Sequence, residues 1–179
     1  MPLLSRRTLL FSAAALPLIA CEAGGQENLG IDTAANEARF ASSPWRRLTE
    51  AQWRERLDPL AFRVLRQEAT EHAGTSPLDR EHRRGTFVCA GCGLALFRSE
   101  WKFNSGTGWP SFFRVMRENV GTKQDFILLT PRTEYHCAQC LGHQGHVFPD
   151  GPRPTGLRYC NNGAALRFVP AWRQHAAAI

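Results

Sequence analysis

The sequence predicts a mainly β domain with short helices in front of it, and three observations lead there. After Arg84 the chain breaks into short apolar runs at 86–88, 126–129, 134–136, 146–148, 157–159 and 166–168, separated by Gly- and Pro-rich turns, the pattern of an antiparallel β domain. Helix-start signals occur only upstream of these runs. At 179 residues, 43% hydrophobic and 21% charged, the chain has the size and composition of one folded domain. No apolar run approaches the ~18–20 residues of a membrane-spanning helix. A polytopic membrane protein, a collagen and a coiled coil are thereby excluded.

Residues 1–20 read as an export signal. Arg6 and Arg7 precede a 13-residue apolar stretch, 8–20, that is short for a span and contains Pro17. It resembles the twin-arginine pattern, with Leu9 where Phe is usual. An ordinary core helix is the alternative, but nothing polar supplies a solvent face. Leu18-Ile19-Ala20-Cys21 resembles a bacterial lipobox, which makes Cys21 a candidate lipid anchor. The expected location is therefore the periplasm, or the membrane as an anchored lipoprotein. The net charge is +6; the signal holds two arginines and no acid, so 20 basic against 16 acidic residues remain, +4. That modest excess argues against a nucleic-acid partner.

Residues 21–44 are rich in Ala, Gly, Glu, Asn and Ser and read as a flexible tether, leaving 45–172 as the domain and 173–179 as a tail. Thr49-Glu50-Ala51-Gln52 fits a capping box. Asp58-Pro59 marks a second helix start, with Leu57 and Phe62 placed for a hydrophobic staple. Leu57, Leu60, Ala61, Val64 and Leu65 would form that helix's apolar face.

The six cysteines sort into three kinds. Cys89/Cys92 and Cys137/Cys140 are two Cys-x-x-Cys pairs, the first followed by Gly93 and the second with Gly142 two residues on. Four thiolates make a structural zinc site with no open position. Two disulfides or one redox pair are the alternatives, but such small loops restrain little chain, and neither pair opens a helix in a βαβ context. The 44 residues between the pairs call for an inserted substructure. Cys21 belongs to the signal. Cys160 stands alone at the end of a β run. A lone cysteine is most often a small buried hydrophobe. This one sits between Arg158 and the pair Asn161-Asn162, with His143 and His146 upstream among glycines, and a thiol beside an imidazole is the arrangement of nucleophilic cysteine chemistry. His72, His82 and His175 read as solvated or satisfied residues, and His136 as structural.

At this point the residues resemble a known family. The motifs are Lys102-Phe103-Asn104-Ser105-Gly106-Thr107-Gly108-Trp109-Pro110-Ser111-Phe112, His143-x-Gly145-His146-Val147-Phe148-x-Asp150-Gly151-Pro152 and Pro154-Thr155-Gly156-Leu157-Arg158-Tyr159-Cys160-x-Asn162. With the two cysteine pairs, the stretch 48–168 is similar to the type B methionine sulfoxide reductases. The resemblance implies two antiparallel sheets with short flanking helices, a structural zinc ion, and reduction of the R epimer of methionine sulfoxide, free or in proteins. It implies Cys160 as nucleophile, with His143, His146 and Asn162 around the substrate oxygen. It places Trp109 as the wall holding the substrate methyl, with Phe112 at the substrate-binding loop. His146 is the simplest choice of acid, though sequence fixes neither tautomer nor distance. Many members carry a recycling cysteine where this chain has Thr107. An external thiol, small or on a thioredoxin-like protein, is therefore expected to reduce the Cys160 sulfenic acid. Asn161, Gly163 and Ala165 also depart from the commoner residues. The chain is expected to be a monomer. A zinc-ribbon binding module and a noncatalytic membrane scaffold are the rival readings. The +4 charge opposes the first, and Cys160, His146 and Trp109 together oppose the second.

Overall fold

The computed structural model describes residues 29–126 and 130–172. The signal, Cys21, the start of the tether, residues 127–129 and the tail lie outside the described residues.

Two antiparallel sheets form the fold. The strands are β1 (Gly85–Cys89), β2 (Ala95–Arg98), β3 (Lys102–Phe103), β4 (Ser111–Phe112), β5 (Val120–Asp125), β6 (Arg132–Cys137), β7 (His143–Phe148), β8 (Arg158–Asn161) and β9 (Leu166–Pro170). One sheet runs β2-β1-β9 and the other β3-β4-β8-β7-β6-β5. Of the run expected at 126–129, only Phe126 is described, 71% exposed just after the strand Val120–Asp125, and residues 127–129 lie outside the described residues. Polar Thr122, Lys123 and Gln124 on this half-exposed strand hide it from an apolar search.

An aromatic core joins the sheets. Phe97 stacks on Phe112 at 4.0 Å between ring centres, and Phe87 meets Phe112 at 5.0 Å. Tyr135 and Tyr159 close the cluster edge to face at 5.4 Å. Each is essentially fully buried, and each such side chain contributes roughly 1.5–3 kcal/mol. Because strand side chains alternate, this core decides what the opposite face carries. Tyr159 points inward, so its neighbour Cys160 points out.

Three short helices flank the sheets. In α2 (Glu50–Arg56) the capping box is complete: Thr49 Oγ1 accepts from Gln52 N, and Gln52 Oε1 accepts from Thr49 N at 2.8 Å. In α3 (Pro59–Gln67) Pro59 opens the helix, while the Asp58 side chain makes no capping bond. Its buried face is Ala61, Phe62, Val64 and Leu65; Leu60, expected inside, is 36% exposed because Phe62 takes the inward position. These helices pack over the cysteine knuckles. A Cβ on Gly91 would touch Trp53 at 3.4 Å and Leu65 at 3.6 Å, and Arg66 Nη1 donates to Cys140 O at 2.8 Å.

The part of the expected tether from residue 29 onward is ordered against the domain. Asp32 caps α1 (Thr33–Ala38), which docks along β5. Thr122 N donates to Thr33 Oγ1 at 2.9 Å, and Asn36 Nδ2 donates to Val120 O at 2.9 Å and Arg117 O at 2.7 Å. β5 is an edge strand, and α1 satisfies backbone groups that an edge would otherwise leave open. Glu37 also bonds His136 at 2.9 Å, which fits the structural reading of that histidine.

Candidate active site and metal centre

Strand register builds the site. Across the six-stranded sheet, Ser111 lies opposite Cys160, Cys160 opposite His146, His146 opposite Glu134, and Glu134 opposite Lys123. Residues directly opposite one another share a face, so these five form one polar row on the side away from the aromatic core. The row brings the predicted nucleophile and the predicted acid together. β7 and β8 approach closely at this point: a Cβ on Gly145 would lie 1.9 Å from Cys160 O, which is why glycine stands between the two histidines.

Cys160 and His146 line a cavity of about 120 Å³, with Trp109 and Phe148 as apolar walls and Arg132 and Thr70 at its rim. Larger grooves exist, of about 740 Å³ beside Leu78 and about 580 Å³ beside Arg84, but neither is lined by a cysteine or a histidine. Trp109 is held by its Nε1, which donates to Glu71 O at 3.1 Å. Glu71 N donates to Asn162 Oδ1 at 3.0 Å, and the Glu71 carboxylate accepts from Gly163 N and Ala164 N. One buried residue thus fixes the wall, the asparagine and the turn Gly163–Ala165. A Cβ on Gly163 would meet Ser76 Oγ at 1.8 Å, so the glycine here matches that close approach.

Two predicted site residues, Phe112 and His143, stand outside the cavity, and a third, Asn162, lines it with its side chain already bonded. Phe112 is fully buried and pairs with Tyr159 across β4–β8, so it belongs to the core; sheet parity gives the site face to Ser111, and Phe148 is the second aromatic wall. His143 is 2% exposed and does not line the cavity. It stands behind His146, ring centres 5.5 Å apart, with Nδ1 3.1 Å from Glu134 Oε1. Asn162 does line the cavity, but its side chain is tied down: Nδ2 donates to Gln144 O at 3.1 Å and Oδ1 accepts from Glu71.

Four charged residues went unassigned in the sequence. Arg158 is two residues before Cys160 and therefore on its face. It forms a two-pronged bond to Asp150, 2.8 Å for each contact, and its guanidinium lies 4.4 Å over the Phe148 ring. Both residues sit inside the quoted motifs, which was the available signal. Asp125 contacts His146, and Arg132, opposite Asp125 in the β5–β6 pairing, bonds the same carboxylate. Only the alternation Arg132-Thr133-Glu134 hinted at a polar strand face.

Burial pushes the Cys160 thiol above its ordinary value, while Arg158 and the Thr107 hydroxyl pull it down. Burial likewise pushes the His146 imidazole below its ordinary value; the Asp125 hydrogen bond opposes this, and Arg132 and His143 add to it. Both shifts favour the uncharged forms, so the resting pair at neutral pH is thiol and imidazole. The substrate-free protein should therefore be alkylated by iodoacetamide at Cys160 slowly at pH 7. The rate should climb with pH to a midpoint above that of free cysteine, and Arg158→Gln should move the midpoint higher. A midpoint below free cysteine would contradict this electrostatic picture.

The four remaining described cysteines form a metal centre. Their Sγ atoms lie within 4.8 Å of one another, with Cys89–Cys140 at 3.6 Å and Cys92–Cys137 at 3.5 Å. A disulfide needs about 2.05 Å, whereas four sulfurs about 2.3 Å from one ion stand roughly 3.8 Å apart. The spacing fits a tetrahedral four-thiolate site. Gln144 Nε2 adds a contact to Cys89 Sγ at 3.5 Å. The second knuckle turns at Leu141, φ 60°, rather than at Gly142; Gly142 instead admits Leu65, whose Cδ2 would be 2.9 Å from an added Cβ.

Comparison with known proteins gives the same answer. A family model described as SelR domain matches residues 57–170. A peptide methionine sulfoxide reductase MsrB of Bradyrhizobium diazoefficiens is 52% identical over 123 residues, 68% of this chain and 88% of that protein. The MsrB of Leptospira interrogans is 50% identical over 121 residues, 67% of this chain and 92% of that protein. A chloroplastic peptide methionine sulfoxide reductase B1 of Arabidopsis thaliana is 46% identical over 134 residues, 74% of this chain and 64% of that protein. With its two sheets, its four-thiolate centre and these matches over most of its length, the chain belongs to the SelR-domain family, the type B methionine sulfoxide reductases.

Proposed function

We propose that the chain reduces the R epimer of methionine sulfoxide, free or in proteins, with Cys160 as nucleophile. The observation that carries this reading is the pairing of Cys160 with His146 across β7–β8 inside a small cavity walled by Trp109 and Phe148. A cavity of about 120 Å³ suits a methyl and a sulfoxide group, not a large substrate. The Trp109 face favours S-methyl over a charged group.

Cys160 Sγ attacks the electrophilic sulfoxide sulfur while its thiol proton, carried by His146, reaches the sulfoxide oxygen. The S–O bond then breaks. The Sγ–S bond breaks with it as the hydroxyl passes to Sγ, so an Sγ–O bond replaces both; the methionine sulfur keeps the electron pair, and Cys160 is left as a sulfenic acid. A first external thiol attacks that sulfur and water leaves. A second thiol releases the mixed disulfide and restores Cys160. Arg158 and the Thr107 hydroxyl stabilise the thiolate as it forms. Asn162 keeps one amide hydrogen beyond its bond to Gln144, available to the substrate oxygen. The buried His143 acts behind His146, not on the substrate.

Zinc is the ion proposed for the four-thiolate centre, because an all-cysteine tetrahedron is its common structural site. When bound there it ties the two knuckles together and leaves no position for substrate. The reductant is a thioredoxin-like protein or a small thiol, since Thr107 supplies no internal one. The export signal and Cys21 support a periplasmic or membrane-anchored lipoprotein acting on oxidised proteins in that compartment, as a monomer.

Turnover of the separated R and S epimers, with dithiol and with thioredoxin as alternative donors, tests the proposal. The R epimer alone should be consumed, with either donor. Equal use of both epimers, or use of neither, would sink it.

A further inference from the structure

The Asp125–Arg132 pair is built onto His146 and has no part in the chemistry assigned above. Asp125 Oδ2 stands 2.7 Å from His146 Nε2, and Arg132 Nη2 donates to the same oxygen at 2.5 Å. Asp125 closes β5, Arg132 opens β6 directly opposite it, and His146 lies on the next strand. The Asp125 and Arg132 side chains are mostly buried, so the contacts are shielded from solvent. The groups facing His146 are Asp125 from β5, Arg132 and Glu134 from β6, His143 from its own strand, and Cys160 from β8.

A carboxylate only accepts hydrogen bonds, so the imidazole nitrogen touching it must carry the hydrogen. In the neutral ring the other nitrogen then holds a lone pair. We propose that Asp125 and Arg132 are positioning residues for His146: the carboxylate fixes the hydrogen on Nε2, leaving Nδ1 to take the Cys160 proton and pass it to the sulfoxide oxygen, and Arg132 locks the carboxylate in place. This deepens the reductase reading and rests on it. One proton moves from Sγ to Nδ1 to oxygen, so the reductive half-cycle on methionine sulfoxide takes up no proton from solvent. Asp125 acts as the carboxylate behind an imidazole does in nucleophilic triads.

The test uses the full chain labelled with nitrogen-15 and, in parallel, its kinetics. Long-range proton–nitrogen spectra of the substrate-free wild type should show His146 as the Nε2–H tautomer. Asp125→Asn should give mixed tautomers and a lower His146 titration midpoint. It should also cut kcat by at least about tenfold with KM within about twofold. Arg132→Gln should raise the His146 midpoint, and Arg132→Lys should return it toward wild type. A wild-type Nδ1–H tautomer overturns the proposal, as does an Asp125→Asn protein with unchanged tautomer and kcat. If Asp125→Asn does not fold, the wild-type tautomer and the Arg132 series decide it: an Arg132→Gln midpoint equal to wild type overturns the role of Arg132. The spectra need no substrate, so a chain that fails to reduce methionine-R-sulfoxide sinks the reductase reading while the tautomer result stands by itself.

Discussion

Cys160→Ser is expected to abolish turnover of methionine-R-sulfoxide, a loss of at least about 10⁴-fold, while leaving the fold intact. The serine oxygen is smaller than sulfur and fits the half-buried position on β8 without displacing Ser111 or His146 on either side. It is also a far weaker nucleophile at neutral pH, because His146 must remove a proton from a much weaker acid. Thermal unfolding should match wild type, which separates loss of chemistry from loss of structure. The same experiment reads the regeneration route. Wild type given one equivalent of sulfoxide without thiol should carry a single sulfenic acid, trapped at Cys160 by a dione reagent. Among the described residues the other four cysteines are gathered at the metal centre. An intramolecular disulfide to Cys160 on mass analysis would overturn the external-thiol route, and a Cys160→Ser protein that still reduces sulfoxide would overturn the mechanism itself.

The features legible in the sequence are those whose partners are local or whose motifs are long. The two knuckles, the Thr49–Gln52 capping box and the loop around Trp109 needed no knowledge of tertiary pairing. What escaped depended on which strand lies beside which. Ser111 and Phe112 are adjacent in a single motif, yet only the β4–β8 register sends Ser111 to the site and Phe112 to the core. His143 and His146, three apart, look equivalent in sequence. A bulge near Tyr135 and His136 and the buried Glu134 draw His143 inward, and only His146 reaches the cavity. α1 carries no large apolar face and resembles linker by composition; its hold on β5 is polar, through Thr33 and Asn36, and Glu37 reaches His136 on β6. Polar docking of this kind has no periodic signature to find.

Removal of the metal is expected to unfold the domain and extinguish activity together, although the metal centre and the cavity share no residue. The connection is the β6–β7 hairpin. Cys137 ends β6, His143 starts β7, and the second knuckle is the turn between them, closed by Leu141 N to Cys137 O at 2.9 Å and Cys137 N to Gly142 O at 3.0 Å. That turn sets the register that places His146 opposite Cys160. Cys89 ends β1 in the other sheet, so the same ion staples the two sheets to each other. Without it, four thiols crowd a buried space, and binding energy on the order of 10 kcal/mol, comparable with the whole stability of a domain, is lost. Cys137→Ser should therefore give protein with no bound metal, no cooperative thermal transition and no turnover. Chelation at a temperature just below the melting point should remove structure and activity with one time course. A metal-free chain that retains a cooperative transition would show that the aromatic core around Phe97, Phe112 and Tyr159 suffices to fix the register, and that the ion only adds to a fold already determined by packing.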